Sequence, residues 1–433
     1  MACLESAHIA AACFQGTSFV AGMMIHVADF GSRVGGRRNV LGGLDSLRDR
    51  LDASDRCAVF WRGRLGRSRK GGDEIVVRVG IVGMGFMGWA HFAGATKISD
   101  EGKIVGSKLK GGSVTTVCSR SLEKLIGDWT SIQGNFGPRG PNVDLTRINA
   151  YDNFEEMLTD PRIELIDICL PNDCHEQTVI AALEAGKHVL VEKPICIDSR
   201  GADRMVAVSK KTGRMLMVAQ VLPFFPEFKY AAEVIASGKY GRLRAAHFRR
   251  VISPPKWSSA MSDFRKIGGW GIDLHIHDNH FISLVCGAPS QVFSRGILEE
   301  GFVNHVHTQY VYDDSSVVVS AVSGGIAAEG FAFGHGFEIF LERATLMYNA
   351  GTVGGVWCPD RPLTVIEQGK TRQPKLRGGV EWCSAFTAEL QAAVDAVRSG
   401  VVPPPLSGEL ARDALKLCHA EAKSIATGKP VKV

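Results

Sequence analysis

Two short segments of the chain carry side chains that can move protons. Lys193 directly follows an apolar run of strand length, and Asp273 and His277 lie in the segment Gly268–Asp278. Histidine exchanges protons near neutral pH, and a lysine can polarise a substrate oxygen or transfer a proton when its pKa is lowered. Asp273 and His277 are four residues apart, so they share a face if the segment is helical. These residue types indicate acid–base chemistry.

The same residues also have structural explanations, which the sequence leaves open. Lys193 can be a surface lysine paired with Glu192, and the histidines can be core or capping residues. A metal site is a third interpretation, but the spacing of the candidate ligands is not that of a recognised site. We therefore predict no metal at the four candidate ligands His275, His277, Asp278 and His280.

A glycine pattern precedes these segments and predicts a second kind of site. Gly83, Gly85 and Gly88 form GxGxxG between a β-branched run and a segment of helical character. The first glycine permits a tight turn, the second lets the backbone approach a pyrophosphate, and the third lets helix and strand pack closely. Free N–H groups at the start of the helix attract phosphates. Packing alone is the alternative explanation, and we predict a dinucleotide site formed by Gly83, Gly85, Phe86, Met87 and Gly88.

The end of the next strand bears on which dinucleotide binds. An acidic residue there would hold the ribose 2′-hydroxyl of NAD, but this strand ends with Cys118, Ser119 and Arg120. Ser119 can donate a hydrogen bond to a 2′-phosphate, and Arg120 can form a charge-assisted pair with it. We therefore predict NADP as the favoured cofactor and NAD as the alternative. An enlarged crossover loop over residues 98–112 makes the spacing from Gly83 longer than usual.

The elements that position these residues follow from hydrophobic periodicity. Short apolar runs alternate with amphipathic helical segments from residue 75, which predicts a doubly wound parallel sheet (a Rossmann domain) over 75–197. Ligands bind at the carboxyl ends of such strands, where Lys193 lies. Residues 198–433 contain strands joined by turns and two closing helices at about 381–399 and 407–427, which predicts a second α/β domain with a mainly antiparallel sheet. Residues 130–149 have the composition of an inserted surface loop.

Composition excludes several functional classes. The 433 residues fit two or three domains, and 45% apolar with 22% charged residues excludes whole-chain disorder. A net charge of +5 without a long basic block predicts no nucleic-acid partner. The 11 cysteines are scattered singly, as in a reduced cytoplasmic protein, and no apolar stretch is long enough to span a membrane. We expect residues 1–74 to be a disordered extension or the product of a mis-assigned start.

The combination of motifs resembles the Gfo/Idh/MocA oxidoreductases, the family of glucose–fructose oxidoreductase and inositol 2-dehydrogenase. The resemblance covers about residues 76–433 and depends on several motifs in one order. They are the glycine pattern at Gly83–Gly88, Leu170-Pro171-Asn172 with His175, ALEAGKHVLVEKP at Ala182–Pro194, GGWGIDLHIHD at Gly268–Asp278 and SIATGKPV at Ser424–Val431.

The resemblance implies a Rossmann domain followed by an α/β domain with a large open, mainly antiparallel sheet, and a homodimer or homotetramer. It implies hydride transfer between a nicotinamide and a secondary hydroxyl or keto carbon of a sugar, sugar derivative or cyclitol. Lys193, Asp273 and His277 match the family's catalytic positions, with His277 taking the hydroxyl proton and Lys193 stabilising the alkoxide. The positions that match the lining of the family's nicotinamide pocket are Pro171, Asn172, His175, Glu192 and Lys193.

One departure from the family and two alternative functions accompany this resemblance. Pro223 stands where the family often has an arginine, which affects the expected substrate contacts. Some relatives hydrolyse glycosidic bonds through transient oxidation by bound NAD, and others sense dinucleotides without catalysis. Retention of both Lys193 and His277 favours an enzyme over a sensor.

Overall fold

The computed structural model describes residues 76–255, 263–379 and 381–433. The extension expected over residues 1–74 lies outside the described residues. Within them, every helix is too short or too polar to cross a lipid bilayer.

The first half of the described chain contains the predicted parallel sheet. The strands of this half are β1 (Val77–Val82), β2 (Thr96–Ile98), β3 (Ile104–Ser107), β4 (Gly112–Cys118), β5 (Asn149–Tyr151), β6 (Leu165–Ile168), β7 (His188–Glu192) and β8 (Leu216–Ala219), of which β2 and β3 lie outside the parallel sheet. In the described residues, the sheet has the order β5-β4-β1-β6-β7-β8, and every neighbouring pair is parallel. The β-branched and apolar side chains of β1 and β6 are buried because helices cover both faces.

Helices connect these strands, as the alternating pattern predicts. They are α1 (Phe86–Ala95), α2 (Leu122–Leu125), α3 (Phe154–Thr159), α4 (His175–Glu184) and α5 (Ser199–Thr212). Ser121, Asn153 and Asp198 cap α2, α3 and α5, and each side chain accepts a hydrogen bond from a backbone N–H of the first turn. Part of the expected crossover loop over 98–112 is instead an antiparallel hairpin of β2 and β3.

The parallel sheet extends past the domain boundary expected at residue 197. Strand β8 pairs with β7 through Val189 and Leu216, so residues up to 219 belong to the first sheet. The apolar run at 215–219 has the length of a buried strand, and one further helix, α5, is needed to reach it. The boundary is therefore better drawn after Gln220.

The second half of the described chain forms a large mixed sheet. Its strands are β9 (Leu243–Ile252), β10 (Gln291–Glu299), β11 (Phe302–Val311), β12 (Val318–Gly324), β13 (Phe331–Leu341), β14 (Thr345–Val353), β15 (Val356–Glu367), β16 (Lys370–Arg372) and β17 (Val431–Lys432). The described strands have the order β16-β15-β14-β13-β9-β12-β11-β10-β17. Only β9 and β12 pair in parallel among them, which confirms the mainly antiparallel character.

Helices cover one face of this sheet and join it to the first half. They are α6 (Pro226–Ser237), α7 (Phe264–Ile267), α8 (Trp270–Asp273), α9 (Ile276–Cys286), α10 (Ser384–Ser399) and α11 (Gly408–Thr427). Phe228 of α6 and Phe281 of α9 pack edge to face beneath Phe337 and Phe248 of the sheet. The two closing helices confirm the prediction for 381–399 and 407–427.

The inserted segment 130–149 packs beside the start of α1. The ring of Phe136 lies parallel to Phe386 of α10 at 5.7 Å between centroids, and edge-on to Phe86 at 4.7 Å. A Cβ atom on Gly134 would overlap the Phe86 ring. The insertion therefore helps to hold the first turn of α1 in place.

Candidate active site

The turn between β1 and α1 has the geometry that the three glycines predict. Gly83 has a φ of +95°, and a Cβ atom there would lie 2.5 Å from the carbonyl oxygen of Cys169. A Cβ atom on Gly88 would overlap the carbonyl oxygen of Gly83. Gly85 instead faces open space: apart from Gly85 and its two neighbours in the chain, no atom of the described residues lies within 4 Å of the point that a Cβ atom would occupy there. The turn is thus closely packed on two sides and open where a pyrophosphate would approach, which fits a dinucleotide.

The expected ribose contacts lie at the carboxyl end of β4. Ser119 donates its backbone N–H to the carbonyl oxygen of Tyr151 at 3.0 Å, and its hydroxyl oxygen accepts the N–H of Ser121 at 3.2 Å. Arg120 is exposed to solvent. The next carboxylate along the chain, Glu123, already accepts the hydroxyl of Ser121 at 2.6 Å. A positive side chain is therefore the charged group at the strand end itself.

Lys193 lies at the carboxyl end of β7, where it contacts the second half of the molecule. Its Nζ donates to the backbone oxygen of Asp273 at 2.6 Å and lies 3.2 Å from Oδ1 of the same residue. The amide nitrogen of Asn172 donates to the same Oδ1 at 3.2 Å. Three predicted residues thus meet at one point, although Lys193 and Asp273 are 80 positions apart.

The segment that carries Asp273 and His277 is not one continuous helix. Helix α8 ends at Asp273 and α9 begins at Ile276, so the expected shared helix face is wrong. Leu274 lies at the junction, and its carbonyl oxygen accepts the N–H of His277 at 3.4 Å. Lys193 instead interacts with both residues: it donates a hydrogen bond to Asp273, and its positive charge lowers the pKa of His277.

His277 has the environment of a neutral imidazole. Burial lowers its pKa well below the usual value, and the positive charges of Lys193 and Arg250 lower the pKa further. Arg250 is itself buried and pairs with Asp278 at 3.1 Å under α9. His280 and His335 also lower the pKa of His277. A neutral imidazole can accept a proton, so His277 is suited to the role of a base.

Two of the residues expected at the nicotinamide pocket have structural partners. The Nδ1 of His175 lies 2.8 Å from the carbonyl oxygen of Pro194, and its Nε2 lies 2.9 Å from that of Leu170. His175 therefore joins the segments after β6 and β7 through buried contacts. Glu192 is buried, and its Oε2 accepts the backbone N–H of Lys193 at 2.9 Å. Pro171 is exposed at the start of the turn that carries Asn172.

The four histidine and aspartate residues weighed as metal ligands face different partners. His275 contacts Ser323 at 2.7 Å and Glu421 at 3.0 Å, whereas Asp278 pairs with Arg250. In the described part of the chain, the grouping of potential ligands is instead His91, Asp167 and Cys169. Sequence reasoning missed this cluster. An acidic residue inside the apolar strand β6 was the one local sign of it.

Comparison with known proteins gives consistent findings. The family model described as "Oxidoreductase family, NAD-binding Rossmann fold" (GFO_IDH_MocA) matches residues 77–220. The myo-inositol 2-dehydrogenase of Thermotoga maritima is 28% identical over 296 residues, which cover 66% of this chain and 84% of that protein. The trans-1,2-dihydrobenzene-1,2-diol dehydrogenase of Oryctolagus cuniculus is 30% identical over 282 residues, covering 59% and 77%.

A solved structure shares the fold over most of this chain. It is an oxidoreductase from Agrobacterium radiobacter in complex with NAD+, L-tartaric acid and magnesium. Its TM-score is 0.62 at 15% identity, over 82% of this chain and 98% of that chain.

Proposed function

The chain belongs to the Gfo/Idh/MocA oxidoreductase family, and from that premise we propose that it oxidises or reduces a sugar, sugar derivative or cyclitol. Hydride would pass between a nicotinamide and a secondary hydroxyl or keto carbon of the substrate. The observation that carries the proposal is the contact of Lys193 with Asp273, beside the neutral His277. It joins the carboxyl edge of the parallel sheet to the second domain, where a substrate can contact both.

The roles of these side chains follow from their charge and position. A dinucleotide held by the glycine turn supplies the hydride acceptor for oxidation and the hydride donor for reduction. As the C–H bond of the alcohol breaks, the neutral imidazole of His277 takes the hydroxyl proton. The ammonium group of Lys193 stabilises the negative charge that develops on the oxygen. Asp273 accepts hydrogen bonds from Lys193 and is itself held by Asn172, and reduction uses the same groups in reverse.

The favoured cofactor in this proposal is NADP, with NAD as the alternative. Arg120, exposed beside Ser119, supports a 2′-phosphate, while the NAD+ in the Agrobacterium structure supports the alternative. Fluorescence titration with NADPH and NADH tests the choice. We expect Arg120→Ala to weaken the binding of NADPH about tenfold, which corresponds to the loss of one charge-assisted contact, and to leave the affinity for NADH unchanged. An equal loss for both cofactors, or tighter binding of NADH by the native chain, would contradict the NADP assignment.

The substrate class is tested by direct assay. Dehydrogenases for myo-inositol and for a dihydrodiol, both vicinal diols, are among the relatives. Formation of reduced nicotinamide with cyclitols or sugars is the expected result, with a simple secondary alcohol as the control. Release of sugar from an aryl glycoside without net cofactor change would instead point to glycoside hydrolysis.

The expected homodimer or homotetramer is part of the same proposal. Val311, Val318 and Ile366 are exposed and alternate with the buried Tyr310, Val319 and Val365. They lie on the sheet face opposite the covering helices, which supports a further copy of the chain at that face. Light scattering of the purified protein would measure the mass. We retain a cytoplasmic location as a prediction from the singly scattered cysteines.

A further inference from the structure

A buried charged cluster lies beneath the glycine turn and is not used in the mechanism above. The Nδ1 atom of His91, on α1, lies 2.8 Å from Oδ2 and 3.1 Å from Oδ1 of Asp167, on β6. The Nε2 atom lies 3.0 Å from Oε1 of Glu192, an ion-pair contact without the alignment of a linear hydrogen bond. The side chains of His91 and Asp167 are fully buried, and that of Glu192 is 8% exposed.

The cluster reaches the backbone of a proposed catalytic residue. The second carboxylate oxygen of Glu192, Oε2, accepts the peptide N–H of Lys193 at 2.9 Å. A continuous series of contacts thus runs from Asp167 through His91 and Glu192 to Lys193. Because Lys193 spans the cleft to Asp273, a shift of its peptide would move the ammonium group as well.

The charges of the cluster are fixed by its composition. Burial opposes a charge on His91, but the neighbouring Asp167 and Cys169 outweigh it, and the pKa of the imidazole is raised well above its usual value. Glu389 of α10 adjoins the cluster, and burial raises its pKa well above the usual range, so that it carries a proton. Burial also raises the pKa of the Cys169 thiol to about 12. The imidazole ring therefore lies between the carboxylates of Asp167 and Glu192, with the thiol of Cys169 and the carboxyl group of Glu389 nearby.

The same atoms admit a second interpretation. Ligand atoms of His91, Asp167 and Cys169 lie within 4.8 Å of one another, a spacing that also suits a metal ion. The 2.8 Å contact between Nδ1 and Oδ2 has the length of a direct charge-assisted hydrogen bond, which favours the ion-pair interpretation.

We propose that His91 is a positioning residue, which holds Glu192 so that Glu192 fixes the peptide of Lys193 for hydride transfer. The proposal rests on the proposed function for the identity of the reaction, but the contact with the Lys193 peptide can be tested without turnover. His91 does not reach the cleft, and so it acts through Glu192.

Two amide substitutions at the same position separate the two sides of the ring. In His91→Asn the amide nitrogen takes the place of Nδ1, so contact with Asp167 is retained and contact with Glu192 is lost. In His91→Gln the amide nitrogen takes the place of Nε2, so contact with Glu192 is retained and contact with Asp167 is lost. Both variants are neutral and remove the same ring, which makes each the control for the other.

The first measurement is hydrogen exchange of the peptide that contains the Lys193 amide, read by mass spectrometry without substrate. Exchange should accelerate in His91→Asn and stay close to native in His91→Gln. Equal exchange in the two variants would overturn the proposal. So would one tightly bound metal ion per chain in the native protein. If neither variant folds, as judged by thermal unfolding, Asp167→Asn removes the carboxylate that holds Nδ1 of His91 and leaves Glu192 in place. It should also accelerate exchange at Lys193, and a native exchange rate would overturn the proposal.

The second measurement is the rate of hydride transfer. A displaced Lys193 should lower kcat about tenfold or more in His91→Asn, whereas His91→Gln should stay within about threefold of native. Dinucleotide affinity, measured by fluorescence, should change little in both. Equal rates in the two variants of an active enzyme would also overturn the proposal. A native chain that binds dinucleotide yet oxidises no diol contradicts the proposed function instead, and hydrogen exchange then still decides the role of His91.

Discussion

Two sites in the molecule, one around His91 and one around His277, shift the pKa of a histidine in opposite directions. On the dinucleotide side, His91 is fully buried, yet Asp167 and Cys169 raise its pKa well above the usual value. On the substrate side, burial lowers the pKa values of His277, His280 and His335. Arg250 lowers the pKa of His277 and His335 further. Burial lowers the pKa of each of these rings, and the neighbouring groups reverse the direction only at His91.

The difference teaches how one residue type can serve two purposes. A cationic imidazole between two carboxylates has no free lone pair and acts as a fixed link between helix and strands. A neutral imidazole near cations retains a lone pair and can take a proton. Lys193 lies where the two halves meet. Its backbone N–H donates to Glu192 on one side, and its ammonium group donates to Asp273 on the other.

Removal of the cation at this junction should have the largest effect. Lys193→Met keeps most of the side-chain volume but removes the charge that would stabilise the alkoxide. We expect kcat to fall about a thousandfold, within the range for lost acid–base and electrostatic assistance. Dinucleotide affinity should stay within about threefold, because the interaction is made in the transition state. Steady-state kinetics and fluorescence titration measure the two quantities.

The exposed Lys97, changed to Met in the same way, controls for loss of a lysine elsewhere. A Lys193→Met enzyme with native kcat would show that the contact between the halves has no part in the reaction.

Substitution at His277 tests the substrate half. His277→Ala removes the proposed base, and kcat for alcohol oxidation should fall about a hundredfold. Because the folded pKa lies well below 6.5, the native ring is still neutral at pH 6.5, and activity should be lost only as the pH falls further. The pH dependence of kcat/KM checks this. His247→Ala, at an exposed position, is the control, and a native midpoint at or above 6.5 would contradict the assigned environment.

The sequence predicts the local parts of this arrangement better than the distant ones. The glycine turn is encoded within six consecutive residues, Gly83–Gly88, and Lys193 follows its strand directly, so both could be located from the pattern. The pairing of His91 with Asp167 joins positions 76 apart, and no local periodicity reports such a contact.

Two structural expectations were wrong for related reasons. Spacing alone placed Asp273 and His277 on one helix, but the helix is interrupted at Leu274 and His275. The side chain of His275 contacts Ser323 and Glu421 there. The first domain was expected to end at residue 197, but the apolar run at 215–219 forms β8 and pairs with β7 in the first sheet. Both corrections involve contacts between segments that are distant in the sequence.

The smallest expected effect concerns stability and sharpens the contrast between the two kinds of histidine. Burial lowers the pKa of His280 to about 3, and neither ring nitrogen has a hydrogen-bond partner within the described residues. Below pH 6.5 the unfolded chain binds a proton that the folded chain does not, so stability should fall as the pH falls from 6.5 toward 3. His280→Leu removes this contribution to the pH dependence of stability, and no hydrogen bond of the described residues is lost.

Urea unfolding of native protein and His280→Leu at pH 7 and pH 5 measures the linkage. From pH 7 to pH 5, the free energy of unfolding of the variant should rise by about 2 kcal/mol relative to that of the native chain. About 1.5 pH units of this range lie below the pKa of an unfolded histidine, and each unit contributes about 1.4 kcal/mol. An equal pH dependence would mean that His280 is accessible to protons in the folded state. For His91→Gln, the free energy of unfolding should instead fall relative to that of the native chain as the pH is lowered. The raised pKa of His91 stabilises the native fold below pH 6.5 and loses this contribution as the pH rises through the folded value, so its removal costs most in acid.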